Sequence, residues 1–290
     1  MAAYRTIVSA AQLQALLAQG ADVVVLDCGF DLADPSAGER AYALGHLPGA
    51  MYAHLDRDLA SAKTGRNGRH PLPTREVFAA RMGAWGVGPQ TQVVAYDAQG
   101  GPYAARAWWM LRWLGHDAAA VLDGGPIAWR AAGGGQTTDA PMPRARPPYP
   151  TSATSDAATP LVDVDVLRAA LARGEAQLVD ARAGERFRGE VEPLDPVAGH
   201  IPGAINRFFK DNLDAEGRFK PAQVLRAEFA QLGLSGPRVG KALVVHQCGS
   251  GVTACHNLLA MAHAGIEGTA LYAGSWSEWC ADPARPVARG

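Results

Sequence analysis

The stretch Ala242–Gly265, "ALVVHQCGSGVTACHNLLAMAHAG", decides the fold. It opens on an apolar run, Ala242 to Val245, that suits a buried strand. It then reaches Cys248, turns through Gly249, Ser250 and Gly251, and from Thr253 onward carries a helical apolar pattern. Short strands alternating with helices build a parallel sheet, and in such sheets sites form at the carboxyl ends of strands. Cys248 stands at such an end.

Outward from this stretch the chain repeats itself. "TQVVAYDAQGGPYAARAWWMLRWLGH" (Thr91–His116) has the same order of apolar run, small-residue turn and helix, and it places Asp97 where the other copy has Cys248. "AAAVLDGGPIAW" answers "GTALYAGSWSEW". Further upstream, β-rich runs end at Asp27 and Asp180, pass through Gly-Glu-Arg, and reach Gly-His-(Leu/Ile)-Pro-Gly-Ala at His46 and His200. Order and spacing hold across each half, so the chain is read as a duplicated domain. Between the halves runs "AAGGGQTTDAPMPRARPPYPTSATSDAATP", too rich in Gly, Pro, Ser and Thr for regular structure. The expected organisation is an α/β domain over 1–140, a linker over 141–155 and a second α/β domain over 156–290, each a parallel sheet flanked by helices. The first is expected to be silent, because Asp97 offers no sulfur nucleophile.

Composition narrows the function classes. The 290 residues carry a formal charge of −1 and are 48% apolar. Near-neutrality gives no footprint for nucleic acid or an anionic membrane, so neither partner is expected. Four scattered cysteines in a chain of this size favour a reducing compartment, and the cytoplasm is the expected location. Ser9 before "AQLQALLA" reads as a capped amphipathic helix rather than a leader, and no apolar run is long enough to span a bilayer.

The cysteine turn admits three readings. Gly249 and Gly251 let the backbone curl so that N–H groups point inward, and the following helix adds its positive end. A thiolate at the centre of that cradle is stabilised and nucleophilic. A plain buried cysteine at a glycine turn is the bland alternative. Gly249-Ser-Gly-Val-Thr-Ala254 also fits the G-x-G-x-x-A dinucleotide pattern, but "TALYAGS" supplies no acidic residue ending the next strand. A phosphatase loop, C-x5-R, lacks its clamp, because Ala254 holds the arginine's place.

With these motifs assembled, the sequence resembles the tandem rhodanese-like sulfurtransferases over nearly its whole length. "CGSGVTA" is similar to the active loop of the 3-mercaptopyruvate branch. The thiosulfate branch typically carries cations at the two positions after the cysteine, where this chain has Gly249 and Ser250. "GHIPGA" and "AGSWSEW" also resemble the family's segments. The resemblance implies that a sulfur donor loads Cys248 as a persulfide, which a thiol, thioredoxin or cyanide then unloads in a ping-pong cycle. No cofactor and no metal are expected. A sulfur carrier that does not turn over is the competing class.

The resemblance also implies site residues. Gly249, Gly251, Val252 and Thr253 belong to the loop. Arg186, in "GERFRG", matches the substrate-binding Arg, whose guanidinium can grip a carboxylate. The branch's second Arg is absent, its stretch here being "EVEPLDP" with Leu194 and Asp195. Arg188 or Arg182 could substitute, although Arg182 could equally hold the loop structurally. Ser250, His70 in "RHPLP" and Asp56 in "HLDRD" match a proton relay, while a lone surface histidine between Arg66 or Arg69 and the prolines is the other reading of His70. Cys255 is read as packed within its helix or as a redox partner of Cys248. Cys28 and Cys280 are read as structural, Trp108, Trp109 and Trp113 as helix core, Trp276 and Trp279 as pocket border or packing, and His46 and His200 as satisfied structural histidines. Charge favours a donor: thiosulfate, a dianion, calls for several cations, whereas the single carboxylate of 3-mercaptopyruvate can be matched by one Arg.

Overall fold

Ser9 begins the first helix with a reciprocal cap: its hydroxyl accepts the Gln12 N–H at 3.2 Å, and the Gln12 side chain accepts the Ser9 N–H at 2.9 Å. Helix α1 (Ala10–Ala18) then buries Ala10, Leu13 and Leu16. The computed structural model describes residues 3–151 and 159–290. The first sheet holds β1 (Ile7–Val8), β2 (Val23–Asp27), β3 (Met51–Tyr52), β4 (Gln92–Tyr96) and β5 (Ala119–Leu122). Its order is β1-β5-β4-β2-β3, with all neighbours parallel. The other helices of this half are α2 (Ala37–Leu44), α3 (Leu55–Asp58), α4 (Arg75–Ala84), α5 (Pro102–Trp113) and α6 (Gly125–Ala131).

The second half contains β6 (Ala176–Asp180), β7 (Ile205–Asn206), β8 (Arg238–Val239), β9 (Ala242–Gln247) and β10 (Ala270–Leu271). Its sheet runs β10-β9-β6-β7, all parallel, with β8 antiparallel on β9. Helices α7 (Val164–Ala172), α8 (Gly184–Phe187), α9 (Ala222–Gln231), α10 (Thr253–His263) and α11 (Ser275–Trp279) accompany it. Strand for strand this is the first order again. Even β1 beside β5 has its echo, in the parallel bridge of Leu161 to Leu271. His46 and His200 match likewise. Each makes an antiparallel bridge, to Thr137 and Ala288, and each stacks on an aromatic ring, Tyr42 at 3.9 Å and Phe187 at 3.8 Å. They are satisfied structural histidines.

The two compact units do not follow the halves of the sequence strictly. The first takes the chain up to Ser61, the chain from Pro73 into the linker, and Ala215–Phe219. The second takes Ala62–Leu72, the chain from the linker to Asp214, and Lys220–Gly290. His70 therefore packs with the second unit although it stands in the first half. Of the linker stretch, 141–151 carries neither helix nor strand, and 152–158 lies outside the described residues.

Each unit has its own core. Leu13, Val25, Val94, Tyr96, Leu122 and Trp129 belong to the first, and Leu167, Leu178, Val245, Tyr272 and Trp276 to the second. Trp108, Trp109 and Trp113 are buried along α5. Trp276 and Trp279 are buried too, and each indole N–H is spent on a carbonyl, of Val197 and Pro286. That is packing rather than a pocket border.

Candidate active site

Strand β9 is buried from Val244 on and delivers Cys248 to the carboxyl edge of the second sheet. The chain must turn there within a few residues to start α10. Gly251 takes φ +76°, and a Cβ on it would stand 2.3 Å from the Ala273 carbonyl oxygen, so this position needs glycine. The turn aims the Gly251 N–H at the Cys248 sulfur, 3.2 Å away. A second segment fastens the loop: the Cys248 N–H donates to Ser275 Oγ at 3.1 Å, and the Cys248 and Gly249 carbonyls accept the N–H groups of Trp276 and Ser277. Ser275 holds φ +55°, a left-handed conformation that costs a non-glycine residue energy. Its hydroxyl, donated to the Tyr272 carbonyl at 2.9 Å, secures the turn. The repeat carries a signal for it, because Gly125 stands opposite Ser275 in the first copy with φ +52°.

The first unit shows what the turn is built to hold. Asp97 occupies the cysteine's place, and its carboxylate accepts four backbone N–H groups at 2.8–3.0 Å, from Gln99, Gly101, Tyr103 and Ala104. The start of α5 thus closes around a carboxyl group whose pKa burial pushes up and these four N–H groups pull back down. The equivalent loop of the second unit, opening α10, has sulfur at its centre.

Around Cys248 the structure gathers some of the expected residues. Ser250 and His70 are both buried, with Ser250 Oγ 2.7 Å from His70 Nδ1. His70 is thus not a surface histidine. Arg186, at the end of α8, lies against Gly249: a Cβ there would be 3.7 Å from its Nη1 and Nη2. Val252 caps α10 and Thr253 opens it. Arg188 is half-exposed and chelated by Glu190 at 2.7 and 3.0 Å, so its charge is spent at the surface. Asp56 lies on α3 of the first unit, its N–H donating to His54 Nδ1. Arg182 takes the structural alternative: fully buried, it grips both oxygens of Asp180, donates to the Gly199 carbonyl at 2.8 Å and lies 4.9 Å over the Trp276 ring.

Arg69, Asp195 and Glu192, to which the sequence reading gave no role, stand beside them. The Arg69 guanidinium fills the space beside Gly249, its Nη2 2.7 Å from where a Cβ would be. Arg69 Nη1 is bound by Asp195 Oδ1. Neighbouring Glu192 accepts from Arg186 at 2.6 Å and from the N–H groups of Leu194 and Asp195, and these partners hold its carboxyl below the usual range against the cost of burial. Arg69 stood in the sequence only as part of a basic loop, and nothing local ties it to Asp195.

The other cysteines have structural surroundings of their own. All four are thiols, none in a disulfide. Burial pushes the Cys28 thiol well above its ordinary value and Cys280 up to about 11, so both are protonated at neutral pH. Cys255 donates its thiol to the Gly251 carbonyl at 3.3 Å, buried within α10.

Comparison with known proteins identifies the family. A family model for the rhodanese-like domain matches residues 9–132 and again 163–282. The chain belongs to the rhodanese-like family, as a tandem-domain sulfurtransferase. A probable 3-mercaptopyruvate sulfurtransferase of Pseudomonas aeruginosa is 50% identical over 286 residues, 98% of each chain. A putative thiosulfate sulfurtransferase of Mycobacterium tuberculosis is 38% identical over 300 residues, covering 99% of this chain and 98% of that one. Among solved structures, the 3-mercaptopyruvate sulfurtransferase from Leishmania major superposes with a TM-score of 0.81 at 29% identity, covering 95% of this chain and 74% of that one.

Proposed function

We propose that the chain moves sulfur from 3-mercaptopyruvate to a thiol through a Cys248 persulfide. The observation that carries the reading is a cysteine at the centre of a turn whose twin in the first unit encloses a carboxylate with four N–H groups. The Cys248 thiolate attacks the donor's sulfur, the carbon–sulfur bond breaks, and its electron pair leaves as the enolate of pyruvate. Protonation of that enolate carbon completes pyruvate. The Ser250–His70 pair, at 2.7 Å, can pass the proton released by the persulfide. Gly251 N–H and the open end of α10 support the persulfide anion. Attack of an acceptor thiolate on the outer sulfur then restores Cys248. Arg186 offers its guanidinium to the donor carboxylate, and the first-unit residue Asp56 is given no step.

Cys248 is itself only 1% exposed, and the Arg69 and Arg186 side chains, beside neighbouring Gly249, are 23% and 17% exposed. Thiosulfate stays as a second reading, because relatives are named for either donor. Four thiols without a disulfide support a reducing, cytoplasmic setting, where thioredoxin is a fitting acceptor. Among the described residues no helix is long and apolar enough to cross a membrane.

Steady-state turnover tests the proposal. With 3-mercaptopyruvate and a small thiol, pyruvate is expected to form over many cycles and to vanish in Cys248→Ser. A single stoichiometric burst would mark a carrier instead, and activity retained in Cys248→Ser would remove Cys248 from the chemistry.

A further inference from the structure

The donor site holds four charges. Arg69 and Arg186 lie against Gly249, and Glu192 and Asp195 lie behind them with side chains only 3% exposed. The two carboxylates differ. Glu192 is saturated by Arg182, Arg186 and two backbone N–H groups. Asp195 binds Arg69 through Oδ1, whereas its buried Oδ2 makes no hydrogen bond and lies 3.6 Å from Arg186 Nη2. Two guanidinium groups against two carboxylates sum to zero. A monoanion entering between Arg69 and Arg186 gains two cationic donors against the repulsion of two carboxylates that are already paired. A dianion doubles attraction and repulsion alike, so a cluster of zero net charge gives it no extra hold, while its desolvation cost rises more steeply than its charge.

We propose that Asp195 is a specificity-determining residue that sets the charge of the accepted sulfur donor, admitting a monoanionic mercapto-acid and disfavouring dianionic thiosulfate. The inference rests on the reading of Cys248 as the sulfur acceptor and deepens it. Asp195 stands where the resembling branch was expected to carry a cation. Its companion Arg69 takes the space that a side chain at position 249 would fill. The site thus gains a cation from the 62–72 loop and cancels it in the same contact.

The test compares kcat/KM for thiosulfate and 3-mercaptopyruvate, with one thiol acceptor, in the full-length chain and three variants. Asp195→Asn leaves the cluster at +1, and the thiosulfate-to-mercaptopyruvate ratio is expected to rise about tenfold, with a steeper loss of thiosulfate activity in added salt. Arg69→Gln leaves it at −1, and the ratio is expected to fall. Arg69→Gln combined with Asp195→Asn restores zero, and the ratio is expected to return toward that of the parent. If Asp195 only positions Arg69, Asp195→Asn weakens both donors alike and the ratio stays fixed, which overturns the proposal. So does a ratio in the double variant that stays with either single one. A parent chain that turns over mercaptopyruvate while these ratios stay flat refutes the charge rule alone. A parent that turns over neither donor removes the underlying reading as well.

Discussion

At the scale of single residues, the site is a set of short contacts whose roles can be separated. Ser250 Oγ and His70 Nδ1, 2.7 Å apart and buried, form the proton path proposed for the cysteine turn. Ser250→Ala and His70→Gln are each expected to lower kcat with 3-mercaptopyruvate by about 10²–10⁴, with KM changed little. Stopped-flow detection of pyruvate checks this, and a rise in KM at constant kcat would make the pair a binding element instead. The residues of the loop itself were legible in the sequence, because a cysteine, two glycines and a helix start are local features. Arg69 and Asp195 were not. They are 126 positions apart and meet only in the folded chain. His70 stood open between relay and surface, and only tertiary burial excludes the surface.

At the scale of elements, the strand–turn–helix unit imposes its own demands. Gly251 has no room for a Cβ, which would stand 2.3 Å from the Ala273 carbonyl, and its φ of +76° disfavours any side chain. Gly251→Ala is expected to cost about 1–3 kcal/mol of local strain and to displace the N–H that faces the sulfur. Persulfide formation is then expected to drop at least tenfold while far-UV dichroism stays unchanged. Normal loading in this variant would mean that the amide does not support the sulfur. The alternation of strand and helix was readable because β2, β4, β6 and β9 are nearly continuous apolar runs. The two-residue strands β1, β3, β7, β8 and β10 lie below what periodicity can detect, since tertiary pairing and not pattern defines them. Composition predicted an irregular stretch over 141–155; 141–151 carries neither helix nor strand, and the remainder lies outside the described residues.

At the scale of the whole molecule, the duplication supplies an internal comparison: one turn closes on a carboxylate and the other on a thiol. Removing the carboxylate with Asp97→Ala leaves its four N–H groups without their acceptor, a loss of about 1–3 kcal/mol, seen as a lower unfolding midpoint. The rate of sulfur loading on Cys248 is expected to be unaffected, measured well below that midpoint. An unchanged midpoint would mean that the first turn is not an anion site, and the comparison would lose its force. The repeat was legible from the order of motifs, yet the placement of 62–72 with the second unit and 215–219 with the first was not, because loop docking leaves no periodic trace. The most direct measurement for the account as a whole is peptide-resolved mass spectrometry after one exposure to 3-mercaptopyruvate without acceptor. It is expected to find one added sulfur on Cys248 and none on Cys28, Cys255 or Cys280. An unmodified Cys248, or a sulfur carried by any of the other three, would contradict it.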